Sequence, residues 1–156
     1  MDQSPLAAEI GKKEPFEHAE QEAFLNLMRT VSILEADFKS LFRKHGLSST
    51  TYNLLRILRG HKPHGLRCTQ IKCELVSRVP DITRLVDRLE ESGLVRRAAD
   101  PKDARAVVIH ITPKGYRVLE KLDEPVTNLH RRQLGHLSPQ ELAALNDLLA
   151  KARHPA

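Results

Sequence analysis

The sequence predicts a mainly α-helical protein with one small β-hairpin. Along most of the chain, apolar residues recur at steps of three and four, the period that lines one face of a helix. Only around residues 94–111 does the period fall to two, on either side of an Asp-Pro-Lys-Asp turn. The 156 residues are enough for one domain with a real core, and 40% hydrophobic with 29% charged residues fits a globular chain. No apolar run approaches the roughly 18 residues of a membrane span, and Met1 to Gly11 lacks the apolar stretch of a signal peptide. A cytoplasmic location without membrane contact is therefore expected. Two cysteines, Cys68 and Cys73, argue against a disulfide framework.

Residues 1–15 are polar, hold Pro5 and Pro15, and read as a flexible arm. From Phe16, the stripe Phe24, Leu27, Met28, Val31, Leu34, Phe38, Leu41 and Phe42 predicts a long amphipathic helix ending near Gly46. Ser48 is a candidate N-cap for a helix carrying Leu54, Leu55 and Leu58, closed by Gly60. Pro63 and Gly65 place a loop at 61–67, followed by a short helix with Ile71 and Leu75 inward. Pro80 suits a first helical position, so the next helix is expected over about 80–92, burying Ile82, Leu85, Val86 and Leu89 and stopping at Gly93. Leu94 to Arg97 and Val107 to Ile111 read as paired strands with a charged tip. Thr112-Pro113 starts a helix running to about Gln133 that buries Val118, Leu122, Val126 and Leu129, and Pro125 predicts a kink or break within it. Ser138 and Glu141 form a capping box before a last helix striped with Leu142, Leu145, Leu148 and Leu149.

The charge is uneven. Residues 1–59 hold 8 basic and 8 acidic groups, residues 60–115 hold 11 and 7, and residues 116–156 hold 6 and 5. A basic middle third points toward a polyanion. Two short helices joined by a tight connection and followed at once by a hairpin form a winged helix-turn-helix, flanked here by longer helices. A helix about 10–12 Å across fits the DNA major groove, and a hairpin tip can reach the adjoining minor groove, whose negative potential attracts arginine. Asp81, Arg84 and Arg88 lie opposite the apolar stripe of the 80–92 helix, with Thr83 at its flank and Arg78 just before its start. Lys102, Asp103 and Arg105 lie on the wing, about 98–106. Asp87 and Arg88 could instead tie the helix to its neighbours through ion pairs.

Three stretches carry a family resemblance. They are Ile82-Thr-Arg-Leu-Val-Asp-Arg-Leu-Glu-Glu-Ser-Gly-Leu-Val-Arg-Arg97, Asp100-Pro-Lys-Asp-Ala-Arg105, and Val108-Ile-His-Ile-Thr-Pro-Lys-Gly115. In order and spacing, residues 47–115 resemble the MarR family of bacterial transcriptional regulators, and the flanking helices extend the likeness in pattern to about 16–153. The resemblance implies a homodimer addressing the half-sites of a pseudo-palindromic operator in double-stranded DNA. It also implies a repressor released by a small, aromatic or phenolic effector. It assigns Thr83 and Arg84 to DNA contact, Arg105 to the minor groove and Asp103 to bracing the wing arginine. Two departures stand out: Asp103-Ala104-Arg105 where the family usually has Asp-Arg-Arg, and Arg67 where Ser or Thr is commoner beside the helix cap. The implied organisation is an arm (1–15), an N-terminal dimerisation helix (16–46), a DNA-binding lobe (47–112) and C-terminal dimerisation helices (113–156).

Other chemistries find less support. No Gly-x-Ser-x-Gly, phosphate-binding loop or His-Glu-x-x-His is present, so no enzyme and no cofactor are expected. His61, His64, Cys68 and Cys73 match no common zinc spacing. The alternatives are a thiol- or metal-responsive switch on the same scaffold, or a winged-helix module that contacts protein instead of DNA.

Overall fold

The computed structural model describes residues 4–154, with the Ala104 side chain excepted. The chain divides into two compact units, Met1–Leu41 and Phe42–Ala156.

In the first unit, the expected arm contains a short helix, α1 (Pro5–Glu9); residues 1–3 of the arm lie outside the described residues. Its cause is local. The Ser4 hydroxyl accepts a hydrogen bond from the Ala7 N–H at 3.3 Å, and Pro5 occupies the first turn, where its missing N–H leaves no donor unpaired. Leu6 and Ala7 are buried. The long helix α2 (Ala19–Arg43) begins three residues later than Phe16, after the bend around Pro15. Arg29 donates to Glu9 at 2.6 Å and links α2 to α1. Gly46, with φ +71°, supplies the left-handed turn beyond α2.

The second unit contains α3 (Ser49–Gly60), α4 (Cys68–Glu74), α5 (Ile82–Glu91), β1 (Val95–Asp100), β2 (Asp103–Ile111), α6 (Pro113–Leu134) and α7 (Pro139–Arg153). Ser48 caps α3 as expected, in a reciprocal box with Thr51. Leu54, Leu55 and Leu58 of α3 are fully buried. With them in the core lie Ile71 of α4, Val86 and Leu89 of α5, Val95 and Ile109 of the hairpin, and Leu119 and Leu122 of α6. Ile82, Leu85 and Leu75, expected inside, are half-buried. Ring stacking between Phe42 and Tyr52, centroids 4.2 Å apart, holds the end of α2 to α3.

Three expectations need correction. Asp81 caps α5 and the helix begins at Ile82, so Pro80 precedes the cap and does not open the first turn; the Asp81 carboxylate accepts from the Arg84 N–H at 3.0 Å. The strands run further toward the tip than their apolar residues do, leaving only Pro101 and Lys102 as the turn. The cause is that Asp100 is held from outside the hairpin, as described below. Of the kink or break expected at Pro125, the break does not occur, since α6 is continuous from Pro113 to Leu134, and the buried stripe passes through Leu119 in place of Val118. The capping box of α7 forms as expected, and its apolar stripe is not buried within the chain.

The hairpin is antiparallel, with Val95 opposite Ile111 at its root and Asp100 opposite Asp103 at its tip. The register shifts after Ala99, so that residues 104–106 of β2 have no opposite number. Leu66 adds a minimal third strand through paired backbone hydrogen bonds with Ile109 at 3.1 and 2.8 Å. Behind the core, Arg59 of α3 clasps Asp123 of α6 through two hydrogen bonds of 2.8 and 2.7 Å.

The Asp123 carboxyl lies below its ordinary value of 3.8, chiefly through the Arg59 hydrogen bonds. Because the pair is half in solvent, Asp123→Asn is expected to lower stability at pH 7 by about 1 kcal/mol. The wild-type contribution is complete above the ordinary carboxyl value and is lost as the pH falls through the depressed one. Urea unfolding of both proteins at pH 7 and at successively lower pH checks this: the stability difference should narrow as the pH falls below the ordinary carboxyl value.

Candidate nucleic-acid interface

The outward face of α5 presents Thr83, Arg84, Asp87 and Arg88, all exposed, while Val86 and Leu89 anchor the inner face. What aims this helix is the turn that follows it. Gly93, at φ +70°, lets the Gly93 and Leu94 N–H groups donate back to the Glu90 and Leu89 carbonyls, each at 2.8 Å. The chain then enters β1, where Arg97 reaches back to the helix. Its guanidinium bonds Asp87 at 2.5 Å and also Glu90, and its backbone N–H donates to Glu90 at 3.0 Å. Asp87 thus serves the structural role, whereas Arg88 has no ion-pair partner among the described residues.

The far side of the turn is tied to α6. The Thr112 hydroxyl donates to the Gly93 carbonyl at 2.7 Å and accepts from the Gly115 N–H at 3.1 Å. Lys114 donates to the Ser92 carbonyl at 2.7 Å. A Cβ on Gly115 would lie 2.4 Å from the Leu94 carbonyl oxygen, so this close approach requires glycine.

The wing is held from α4. Arg67, at the N-cap of that helix, cannot accept a capping hydrogen bond, so its place in the cap is filled by Gln70, which accepts from the Arg67 N–H at 2.9 Å. The guanidinium is thereby free to reach the hairpin, where it bonds Asp100 at 2.6 and 3.0 Å and lies 3.5 Å from Asp103. The Asp100 carboxyl is held below its ordinary range, first by the Lys102 N–H and then by Arg67. Asp103 accepts from the backbone N–H of Arg105 at 3.1 Å, so it braces the main chain at that residue. The Arg105 side chain is exposed within the irregular stretch of the ladder.

The structure brings together some of the residues singled out from sequence. Asp81, Arg84 and Arg88 line one groove of about 280 Å³ with Ser48 and Thr50 at the start of α3. Arg78 lines a neighbouring one with Lys72 and Cys73. Lys102, Asp103 and Arg105 stand apart on the wing, and Asp81 is engaged as a helix cap. Arg67 and Arg97 were not among the candidates. A signal for Arg97 existed: it shares the Val95 side of β1, and an arginine on a core-facing position needs the acids that Asp87 and Glu90 supply one helical turn apart.

Other polar groups near this surface have structural partners. His61 pairs with Glu74 at 2.9 Å, and among the described residues no cluster of three or more His, Cys, Asp or Glu could hold a metal. Burial pushes the Cys68 thiol up, partly opposed by Arg97, whereas Cys73 is exposed.

A model of the MarR family matches residues 47–107. The HTH-type transcriptional regulator YkoM from Bacillus subtilis is 34% identical over 145 residues, covering 88% of this chain and 90% of its own. A MarR transcription factor from Planctomyces limnophilus, solved by crystallography, is 42% identical over 86% of this chain and 98% of its own, with a TM-score of 0.66. Sco3205 from Streptomyces coelicolor, a MarR family regulator crystallised in complex with DNA, is 26% identical over 93% of this chain and 94% of its own, with a TM-score of 0.77.

Cys73 is expected to react promptly with a chromogenic disulfide reagent at pH 8, and Cys68 much more slowly, because thiolate availability and access both favour Cys73. Absorbance should show one fast and one slow thiol, merging into a single fast phase in denaturant. Equal fast reaction in the folded protein would contradict the burial of Cys68.

Proposed function

The chain belongs to the MarR family, and on that premise we propose that it is a homodimeric, sequence-specific DNA-binding transcriptional regulator. The recognition helix α5 enters the major groove and the hairpin reaches the minor groove. One observation carries this reading. The side chains of Arg78, Arg84, Arg88, Lys102 and Arg105 make no ion pair among the described residues. The acids interleaved with them are engaged elsewhere: Asp87 and Glu90 by Arg97, Asp100 and Asp103 by Arg67, and Asp81 by the helix cap. The surface is thereby left with mobile positive charge fitted to phosphates and guanine edges.

Thr83 and Arg84 contact the major groove, Arg78 and Arg88 flank it, and Lys102 and Arg105 address the backbone and the minor groove. Asp103 braces the wing, and the loss of a cation at position 104 reduces phosphate contact there. Residues 16–46 and 113–156 form the dimer platform. This is supported by the exposed apolar side chains of Phe24, Met28 and Val31 on α2 and of Leu148 on α7. Two lobes so joined read the half-sites of a pseudo-palindrome about one helical turn apart. The regulator acts as a repressor in the cytoplasm and is released by a small aromatic or phenolic effector. Its role is binding and not catalysis.

Fluorescence anisotropy with the DNA upstream of the protein's own gene, against random duplex, tests this. Specific binding should exceed random binding by at least about a thousandfold and weaken steeply with salt. Equal weak binding to both duplexes would favour a module whose partner is not DNA.

Arg105→Ala is expected to weaken operator binding by about 1–3 kcal/mol, with the loss concentrated at A·T-rich flanks. Arg84→Ala should reduce discrimination between operator and random DNA; an equal loss on both would make it a phosphate contact. Arg67→Ala should weaken the operator complex by disordering the wing, with partial recovery in Arg67→Lys. An unchanged dissociation constant would remove Arg67 from that role.

A further inference from the structure

A third concavity lies at the root of the hairpin, on the sheet face covered by the loop at 61–66. It measures about 210 Å³. Lys62, Arg96 and His110 supply its polar lining, and Leu58, Pro63 and Ile111 its apolar floor. No carboxylate lines it, and neither Lys62 nor Arg96 has an ion pair among the described residues. Lys62 is placed by the Tyr116 ring, whose centroid its ammonium approaches to 4.3 Å. The Tyr116 hydroxyl is itself buried without a hydrogen-bond partner.

The walls are fixed. The Leu66 and Ile109 backbones hold the loop to β2 by two hydrogen bonds. Gly65 has φ +67°, and a Cβ there would meet the Ile109 carbonyl oxygen at 2.5 Å and Val108 at 2.8 Å. His110 and Pro63 line the same wall, and Arg96 stands directly opposite His110 in the hairpin register. Burial, and then the Arg96 charge, push the His110 imidazole below its ordinary value. The cavity therefore presents a lysine and an arginine, with no carboxylate in its lining, beside an imidazole whose charged form is disfavoured, a lining whose positive groups an anion would balance.

We propose that this cavity binds a small oxyanion, a carboxylate or phosphate group, between Lys62 and Arg96, with any apolar remainder of the ligand on Leu58 and Ile111. The Arg96–His110 rung is four rungs from the Asp100–Asp103 tip. At about 3.3 Å per residue, that is roughly 13 Å from the part of the wing that faces DNA. The occupant is thus a free anion and not a phosphate of the operator. It also sits where β2 passes into α6, beside Tyr116.

Histidine-ring NMR on the full chain tests the proposal. Inorganic phosphate, acetate and benzoate are each titrated at constant ionic strength, and the His110 resonance is assigned by its loss in His110→Gln. At least one probe should perturb His110 saturably. Lys62→Gln and Arg96→Gln should each weaken that response by about tenfold, the loss of one charge-assisted hydrogen bond. Arg96→Lys should retain part of it, and Arg84→Ala, at the DNA-facing groove, should leave it unchanged. A non-saturating drift shared by all the histidines would overturn the site. So would a response undiminished in both glutamine variants, or a His110 shift produced by duplex DNA and by none of the free anions.

Discussion

Arg97 is the interaction on which the geometry of this surface depends. The Arg97 guanidinium, half-buried on the core side of β1, loses part of its hydration there, and paired carboxylates compensate for that loss. Asp87 and Glu90 neutralise it from one face of α5, and the Glu90 carboxylate also accepts from the Arg97 backbone. The helix and the strand, joined by only three residues around Gly93, are thus held at one angle by three hydrogen bonds in addition to their apolar contact. Lysine could not substitute, because two separate carboxylates are met by one planar fork. Thr112 and Lys114 then fasten the same turn to α6, so a change of angle at α6 would be felt at the recognition helix.

Arg67 and Arg97 have a second consequence. Each removes acidic groups from the field of the exposed cations. Within 60–115 the formal surplus is only four charges, which screening over about 8–10 Å would leave as a weak and diffuse attraction. Sorting the charges changes this. Four of the seven acids of that segment are bound to two half-buried arginines, while Arg78, Arg84, Arg88, Lys102 and Arg105, on α5, its approach and the wing, are among the cations that make no ion pair among the described residues. The electrostatic asymmetry is therefore produced by the fold, and it is larger than the composition indicates.

The legible parts of the structure were the local ones. Ser48, Thr112 and Ser138 cap the helices expected of them because a cap is decided within four residues. The hairpin, and the inward face of α5 at Val86 and Leu89, followed from periodicity. The starts of elements were less legible where two residues competed: Pro80 and Asp81 both suit a helix N-terminus, and the carboxylate that can reach the Arg84 N–H decides. The illegible parts join residues far apart in sequence. Arg67 meets Asp100 across 33 residues, and Arg59 meets Asp123 across 64. No period or spacing encodes either pair. Arg67 looked like a defective cap because its partner lies on the hairpin. Likewise the cavity beneath Gly65 depends on a loop crossing a sheet face, which the loop composition alone does not specify.

Pro125 and α7 show why a helix can persist where local rules oppose it. Proline removes one backbone donor from α6, yet Leu119, Leu122, Val126 and Leu129 keep a buried stripe on both sides of it, and each such side chain contributes about 1.5–3 kcal/mol on burial. Packing therefore outweighs the lost hydrogen bond. The opposite holds for α7, which has a complete capping box but no buried residue. Fifteen residues are marginal for an isolated helix in water, and a cap contributes only about 1 kcal/mol. Its leucines need a surface that the single chain does not offer them, and the apolar side chains left open on α2 are in the same position. In the proposed homodimer, a second copy of the chain would supply such a surface. Isologous contact would repeat every favourable pair twice, so even a modest apolar stripe becomes an adequate interface. In the proposed dimer the flanking helices would gain the partner surface they lack, and the spacing of the two lobes would follow from it.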